Sequence, residues 1–227
     1  MPSWNIHIAH AERLLADDRW ESWHIRDANA FVFGNLVPDI YVGYMVPDPS
    51  KKIAYKDTHL AEADFIPTPD ASTFFERYLR EGDFSEVTLG AWCHLLCDHY
   101  YNLRTIEYIA RIGVEPGTST RIRKQADFDV FGRTHEISWQ CSPYPALIAQ
   151  CAAFEQYPIE AADVEKTCEA VRQVIAKNSA EHVETPTYDL LSKRFFHDTF
   201  CEVQDVLTRG LTLVSRGEDA RHLGRPL

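Results

Sequence analysis

The feature that most constrains the fold is an apolar run that nevertheless contains a histidine and an aspartate. The run covers residues 89–102 and reads LGAWCHLLCDHYYN. Residues four apart share one face of an α-helix, so His94 and Asp98 are expected side by side, about 5–6 Å apart at Cβ. An unpaired buried carboxylate costs several kcal/mol. The pattern therefore predicts a compensating charge beside Asp98, and a metal ion is the simplest candidate.

Apolar periodicity predicts helices along most of the chain. The predicted helices cover residues 4–17, 25–34, 69–80, 83–112, 118–130, 143–153, 160–179 and 187–215. Residues 37–69 show no periodicity and predict a long loop, which is uncommon unless it serves function. The polar segment after Ser215 predicts a frayed end. With no repeat and no linker, we expect a single all-α domain, a multi-helix bundle over residues 1–227.

The composition narrows the class of partner and the compartment. A formal net charge of -11 argues against a nucleic-acid-binding surface, which is normally basic. The sequence has no apolar run long enough for a membrane anchor and no secretory signal pattern. The six cysteines have no CxxC spacing and predict buried free thiols in a reducing cytoplasm.

Further imidazole and carboxylate groups recur before the central run. Each has a structural alternative, such as a packed core histidine or a side chain that caps a turn. Imidazole and carboxylate ligands suit zinc, and also manganese or iron. The five main candidate ligands are His7 on the first helix, Asp39 after Pro38, His59 in the long loop, and the pair His94 and Asp98. His10, three residues after His7, is an additional candidate.

Three other residues are additional candidates. His99 follows Asp98 directly, whereas Asn102 lies one turn on and can hydrogen-bond a ligand or a neighbouring side chain. His197 lies on the last helix, where it is either a packed histidine or a contact to ligand or substrate.

The order of these motifs resembles the zinc-dependent phospholipase C family of bacteria. The matching segments are His7, then FVFGNLVPDI at residues 31–40, then Thr58-His59, then the Gly-x-x-x-His-x-x-x-Asp pattern that ends at Asp98. The resemblance covers about residues 1–102. It implies an all-helical fold of the phospholipase C and single-strand nuclease type, with a metal cluster in a cleft.

The resemblance also implies roles for these residues. Asp39, His59, His94 and Asp98 would bind one zinc ion, and Asp98 would bridge to a second ion that His7 also binds. Two metals about 3.5–4 Å apart stabilise the attacking and leaving oxygens of phosphoester cleavage. Asp39 and Asp98 are the catalytic candidates, with Asp39 orienting water or acting as base.

Two departures from the family pattern limit the number of metals. The chain begins Met1-Pro2, whereas secreted members have a mature amino-terminal Trp that ligates metal. No His-x-x-x-Glu follows Asp98. We therefore expect one or two ions rather than three. Residues 113–227 are expected to be helical, to wall the cleft and to set specificity.

The favoured hypothesis is a cytoplasmic, metal-dependent hydrolase of a small phosphodiester or phosphomonoester. One alternative is a non-catalytic helical protein that binds a metal or small ligand with a degenerate site. Another is a His-Asp type phosphohydrolase, which needs an adjacent doublet; His197-Asp198 is such a doublet, but no suitable ligands follow it. The sequence leaves the oligomeric state open.

Overall fold

A computed structural model describes residues 2–62 and 64–225, and every regular element in these ranges is helical. The prediction of an all-α fold is confirmed. Two 3-10 helices, Trp20–Trp23 and Arg221–Gly224, accompany the α-helices. The α-helices are α1 (Trp4–Leu15), α2 (Ala28–Gly34), α3 (Val37–Ile40), α4 (Tyr55–Thr58), α5 (Ala71–Tyr78), α6 (Glu86–Arg111), α7 (Thr118–Gly132), α8 (Pro145–Ala152), α9 (Ala161–Ala180) and α10 (Lys193–Ser215).

Helix α6 forms the centre of the molecule. It begins after Ser85, whose side chain accepts a hydrogen bond from Thr88 N at 3.2 Å. Its side chains are buried from Val87 to His99 without interruption, so this part of the helix lies inside the core rather than on its surface. Helices α2, α3, α5, α8 and α10 pack around it.

The closest helix contact joins α2 to α6 at two glycines. A Cβ atom on Gly90 would lie 2.2 Å from Phe31 O and 2.8 Å from the Cα of Gly34. Only glycine at these two positions allows the backbones to approach so closely. The contact presses the carboxyl end of α2, with Asn35 just beyond it, against α6 one turn before His94.

Two predicted boundaries are wrong. The helix predicted from residue 25 begins at Ala28, because the Asp27 side chain caps it by accepting from Ala30 N at 2.9 Å. The helix predicted from residue 187 begins at Lys193 and is capped by Ser192 instead. Residues 189–191 are not helical, since their three backbone N–H groups donate to the Asp127 carboxylate at 2.7–2.8 Å.

Two segments are more ordered than predicted. The long loop predicted over residues 37–69 contains the one-turn helices α3 and α4. The tail predicted to fray instead forms a 3-10 helix in which Leu223 and Gly224 are buried. A Cβ on Gly224 would meet the Ala71 Cβ at 2.5 Å, so the tail packs tightly against the start of α5.

Within the described ranges, no helix combines the length and the apolar character needed to cross a bilayer. All six cysteines are free thiols; Cys201 is exposed and the other five are buried, largely as predicted.

Candidate metal centre

The structure brings the five main candidate ligands together in the core. They come from four different helices or helix ends, and none is more than 3% exposed. His7 lies on α1, Asp39 on α3, and His94 and Asp98 on α6. His59 directly follows the last residue of α4.

The ligand atoms form two overlapping groups that can each hold a metal ion. One group is His7, His94 and Asp98, and the other is Asp39, His59 and His94. In each group the ligand atoms lie within 4.8 Å of one another. His94 belongs to both, so the residues make one compact cluster rather than two separate sites.

The imidazole nitrogens and carboxylate oxygens of the cluster lie close to one another. His59 Nε2 lies 3.1 Å from His94 Nε2, 3.6 Å from Asp98 Oδ2 and 3.7 Å from Asp39 Oδ1. His7 Nε2 lies 3.3 Å from Asp98 Oδ1, and the His7 ring stacks on the His94 ring at 4.0 Å. The two Asp98 oxygens thus face different histidines.

Hydrogen bonds outside the cluster fix which ring nitrogens face inward. His94 Nδ1 donates to Asn35 O at 2.8 Å, so its Nε2 carries a free lone pair when the ring is neutral. His59 Nδ1 lies 2.7 Å from Thr58 Oγ1, which also lies 3.2 Å from Tyr55 O. When the Thr58 hydroxyl donates to Tyr55 O, His59 donates to Thr58 and its Nε2 is also a bare lone pair.

Several buried ligand atoms in the described part of the chain have no hydrogen-bond partner. They are both ring nitrogens of His7, Oδ1 of Asp39 and Oδ1 of Asp98. Buried polar atoms are nearly always paired, and each one left unpaired costs about 1–3 kcal/mol. A divalent cation would satisfy bare nitrogen and carboxylate oxygen atoms together, so the residues fit a metal ion.

Two flanking side chains, which the sequence patterns did not identify, hold the carboxylates in place. Trp4 Nε1 donates to Asp39 Oδ2 at 3.1 Å, and the Tyr55 hydroxyl donates to Asp98 Oδ2 at 3.1 Å. The Tyr55 ring also stacks on His59 at 3.7 Å. The signal for Trp4 was spacing, since it precedes His7 by three residues on a predicted helix. No such signal existed for Tyr55, which lies in the segment predicted as a loop.

Two histidines of the cluster, His7 and His59, favour the neutral form that metal binding requires. Burial is the main cause that lowers the pKa of His7 to about 4. Burial likewise holds the pKa of His59 well below its ordinary value. These imidazoles therefore do not need to lose a proton at neutral pH before they bind a metal.

The two carboxyl groups are shifted in opposite directions. Burial raises the pKa of Asp39 to about 6, and the nearby Asp98 carboxylate adds to the effect. Burial also opposes ionisation of Asp98, but His7, His94 and His59 outweigh it and hold the pKa of Asp98 below its usual range. The surroundings therefore favour ionisation of Asp98 and oppose ionisation of Asp39.

The structure does not bring His10 or His99 into the cluster. His10 Nδ1 lies 2.9 Å from Gln204 Oε1 and its Nε2 lies 3.2 Å from the Tyr101 hydroxyl, so both nitrogens are occupied. His99 Nδ1 donates to Pro69 O at 2.9 Å. Both histidines are buried and stabilise helix packing.

His197 is not part of the cluster, because it lies on the surface. Asn102 is buried in the core. His197 is exposed on α10 and lies 3.2 Å from its neighbour Asp198. Asn102 is fully buried, donates through Nδ2 to Pro67 O at 2.8 Å, and has an unpartnered Oδ1.

A cavity of about 440 Å³ opens onto the cluster. Its lining includes Asp39, Asn102, and Arg121 and Lys124 of α7. Asp39 is the cluster residue that this cavity reaches, so a small molecule in the cavity meets the cluster at that carboxylate.

No protein-family model, curated protein or solved structure matches this chain. The chemistry of this site is therefore inferred from its geometry.

Proposed function

We propose that the chain is a metal-dependent hydrolase of small phosphoesters, with zinc as the metal. One observation carries the proposal: His59 and His94 direct two ring nitrogens at the same point between two buried carboxylates, next to a cavity. Neutral imidazole and carboxylate ligands in this number suit zinc, and also manganese or iron.

The geometry favours one ion at this point over a symmetric pair. His94 Nδ1 is engaged by Asn35 O, so the ring offers one nitrogen and serves one ion. An ion beside His94 is within reach of Asp39, His59 and Asp98. A second ion would be held by His7 Nε2 and Asp98 Oδ1, with its other ligands supplied by solvent or substrate.

The residues support hydrolysis in complementary ways. A bound divalent ion supplies Lewis-acid stabilisation of phosphoryl oxygens and acidifies water. Asp39 lines the cavity and its Oδ1 has no hydrogen-bond partner among the described residues, so this carboxylate can orient a water molecule and accept its proton. The water oxygen bonds to phosphorus, the ester P–O bond breaks, and the proton ends on the leaving oxygen.

A non-catalytic, metal-stabilised protein is the second candidate, and the burial of the cluster favours it. Structural zinc sites are closed, whereas catalytic zinc keeps an open position for water or substrate. Contact of Asp39 with the cavity is the feature that favours catalysis. The His-Asp alternative loses support, because the His197-Asp198 doublet lies on the surface, away from the cluster.

The cytoplasm is the compartment that we propose. Five buried thiols with no disulfide among the cysteines suit a reducing environment.

The test is hydrolysis of bis-p-nitrophenyl phosphate and p-nitrophenyl phosphate by zinc-loaded protein. We expect Asp39→Asn to lower kcat by about 10²–10⁴-fold, the range for a lost general base. We expect Asp98→Asn to lose both metal and activity. Asp205→Asn, the same change at an exposed site on α10, is the matched control and should leave both unchanged. Undiminished hydrolysis by Asp98→Asn would refute the proposal.

A further inference from the structure

Helix α7 places two basic side chains in the wall of the cavity. Arg121 and Lys124 are three residues apart, so they share one helical face. Lys124 is only 6% exposed, and burial lowers the pKa of its ammonium group. Arg123 on the same helix pairs with Asp189 at 2.7 Å, but no described carboxylate forms an ion pair with Lys124.

A nearly buried lysine without a described carboxylate partner is uncommon, so the position of Lys124 needs a reason. The chain as a whole is acidic, with a formal net charge of -11, yet this wall of the cavity is basic. The charged residues that line the cavity are Arg121, Lys124 and Asp39, so cations outnumber the carboxylate there. An excess of one sign of charge concentrates ligands of the opposite sign. The wall is therefore suited to an anion.

Asn102 gives a second, independent indication of a ligand. It lines the same cavity, is fully buried, and its Oδ1 has no hydrogen-bond partner among the described residues. A carbonyl oxygen accepts hydrogen bonds, so it would take one from a hydroxyl group of the ligand. The cavity thus offers cations for an anion and an acceptor for a neighbouring hydroxyl.

We propose that Lys124 and Arg121 bind the non-bridging oxygens of a dianionic phosphate, and that the cavity selects small phosphomonoesters over phosphodiesters. This inference rests on the proposed function. A phosphomonoester carries two negative charges above its second pKa near 6, whereas a diester carries one. The two cations, Arg121 and Lys124, match the two negative charges of a phosphomonoester. The cavity volume of about 440 Å³ suits a small ligand.

A purely structural role for Lys124 makes a different prediction. Its ammonium lies near enough to Asp98 for that carboxylate to raise its pKa, so it can also serve to balance the charge of the cluster. In that role its loss would impair the cluster itself and lower activity on both substrate classes alike. Selective loss on the monoester separates the two roles.

The experiment compares kcat/KM of zinc-loaded protein for p-nitrophenyl phosphate and for bis-p-nitrophenyl phosphate. In Lys124→Met, which keeps an unbranched side chain but removes the charge, we expect kcat/KM for the monoester to fall about ten- to hundredfold, as for a lost charge-assisted hydrogen bond. We expect the diester value to stay within about threefold, a change too small to represent such a bond. The exposed Arg121→Gln should show the same selectivity, and Arg123→Gln is the charge-matched control.

Binding of inorganic phosphate separates failure of this inference from failure of the proposed function. By titration calorimetry on zinc-loaded protein, we expect both Lys124→Met and Arg121→Gln to weaken phosphate binding. If neither ester is hydrolysed but phosphate binding depends on Lys124, the anion site stands and the hydrolase proposal fails. Equal losses on both esters, or phosphate binding unchanged in both variants, would overturn the inference.

Discussion

Replacing Gly90 with alanine tests whether the contact between α2 and α6 sets the geometry of the metal cluster. The new Cβ would lie 2.2 Å from Phe31 O and 2.9 Å from Asn35 N, whereas ordinary contact begins at 3.4 Å. The two backbones must therefore separate by about 1.2 Å, the difference between 3.4 and 2.2 Å. Both sides of the contact are backbone, so no flexible side chain can absorb the displacement.

Two effects of different size follow from this separation. Overpacking costs about 1–3 kcal/mol, which lowers Tm by about 2–12 °C for a chain of this length. The same movement lengthens the bond from His94 Nδ1 to Asn35 O, now 2.8 Å, beyond hydrogen-bonding distance. Loss of such an orienting partner typically weakens metal affinity about 10–100-fold.

Thermal unfolding of the metal-free protein and a competitive zinc titration measure the two effects separately. Gly117→Ala is the matched control, because nothing lies within 4 Å of a Cβ at Gly117 and its φ of 175° suits any residue. A Gly90→Ala protein with unchanged Tm would refute the close-contact argument. Lower stability with unchanged zinc affinity would refute the link between this contact and the orientation of His94.

Three further predictions concern metal and pH. A free zinc concentration one hundred times Kd should stabilise the protein by about 2.7 kcal/mol. This raises Tm by about 5–11 °C. Differential scanning fluorimetry should show this shift in the unmodified protein and not in Asp98→Asn. Burial raises the pKa of Asp39 to about 6, so protons compete with metal for this carboxylate below that pH. Competition titrations should show zinc affinity falling about tenfold per pH unit in that range. A zinc affinity that does not change with pH there would contradict this prediction. Burial lowers the pKa of His10 from 6.5 to about 3, so the unfolded chain binds one more proton between those values and stability falls as pH decreases; chemical denaturation of His10→Gln should show a slope shallower by about 1.4 kcal/mol per pH unit.

The sequence predicted the fold and the site best at α6, a core helix that also contains two of the candidate ligands. The apolar run of α6 predicted a buried helix, and the positions of His94 and Asp98 within it predicted a charge that needed compensation. The structure places both residues in the cluster with His7, Asp39 and His59.

Local patterns failed where tertiary contacts decide the backbone. Thr185-Pro186-Thr187 and Ser192 are both good helix-start signals, and the choice of Ser192 depends on Asp127 of α7, which binds the backbone of residues 189–191. The one-turn helices α3 and α4 are too short for periodicity to reveal, since a single turn shows no repeat.

The basic wall of the cavity could not be predicted from spacing alone. Arg121 and Lys124 lie in a helix whose sequence has weak amphipathic character and no recognisable motif. The packing of α7 beside α1 brings them to the cavity that Asp39 also lines. Trp4 was within reach of sequence reasoning, because it lies one turn before His7 on a predicted helix. Tyr55 was not, because it lies in the segment predicted as a loop.

The most direct test of the central claim is an anomalous difference map from crystals of zinc-loaded protein, collected on both sides of the zinc edge. We expect a peak about 2.0–2.2 Å from His94 Nε2, His59 Nε2 and oxygens of Asp98 and Asp39, the distances of zinc ligation. A second, weaker peak between His7 and Asp98 would indicate a second ion. A cluster with no peak, or zinc found only at surface groups such as His197 and Asp198, would show that these buried residues do not form a zinc site.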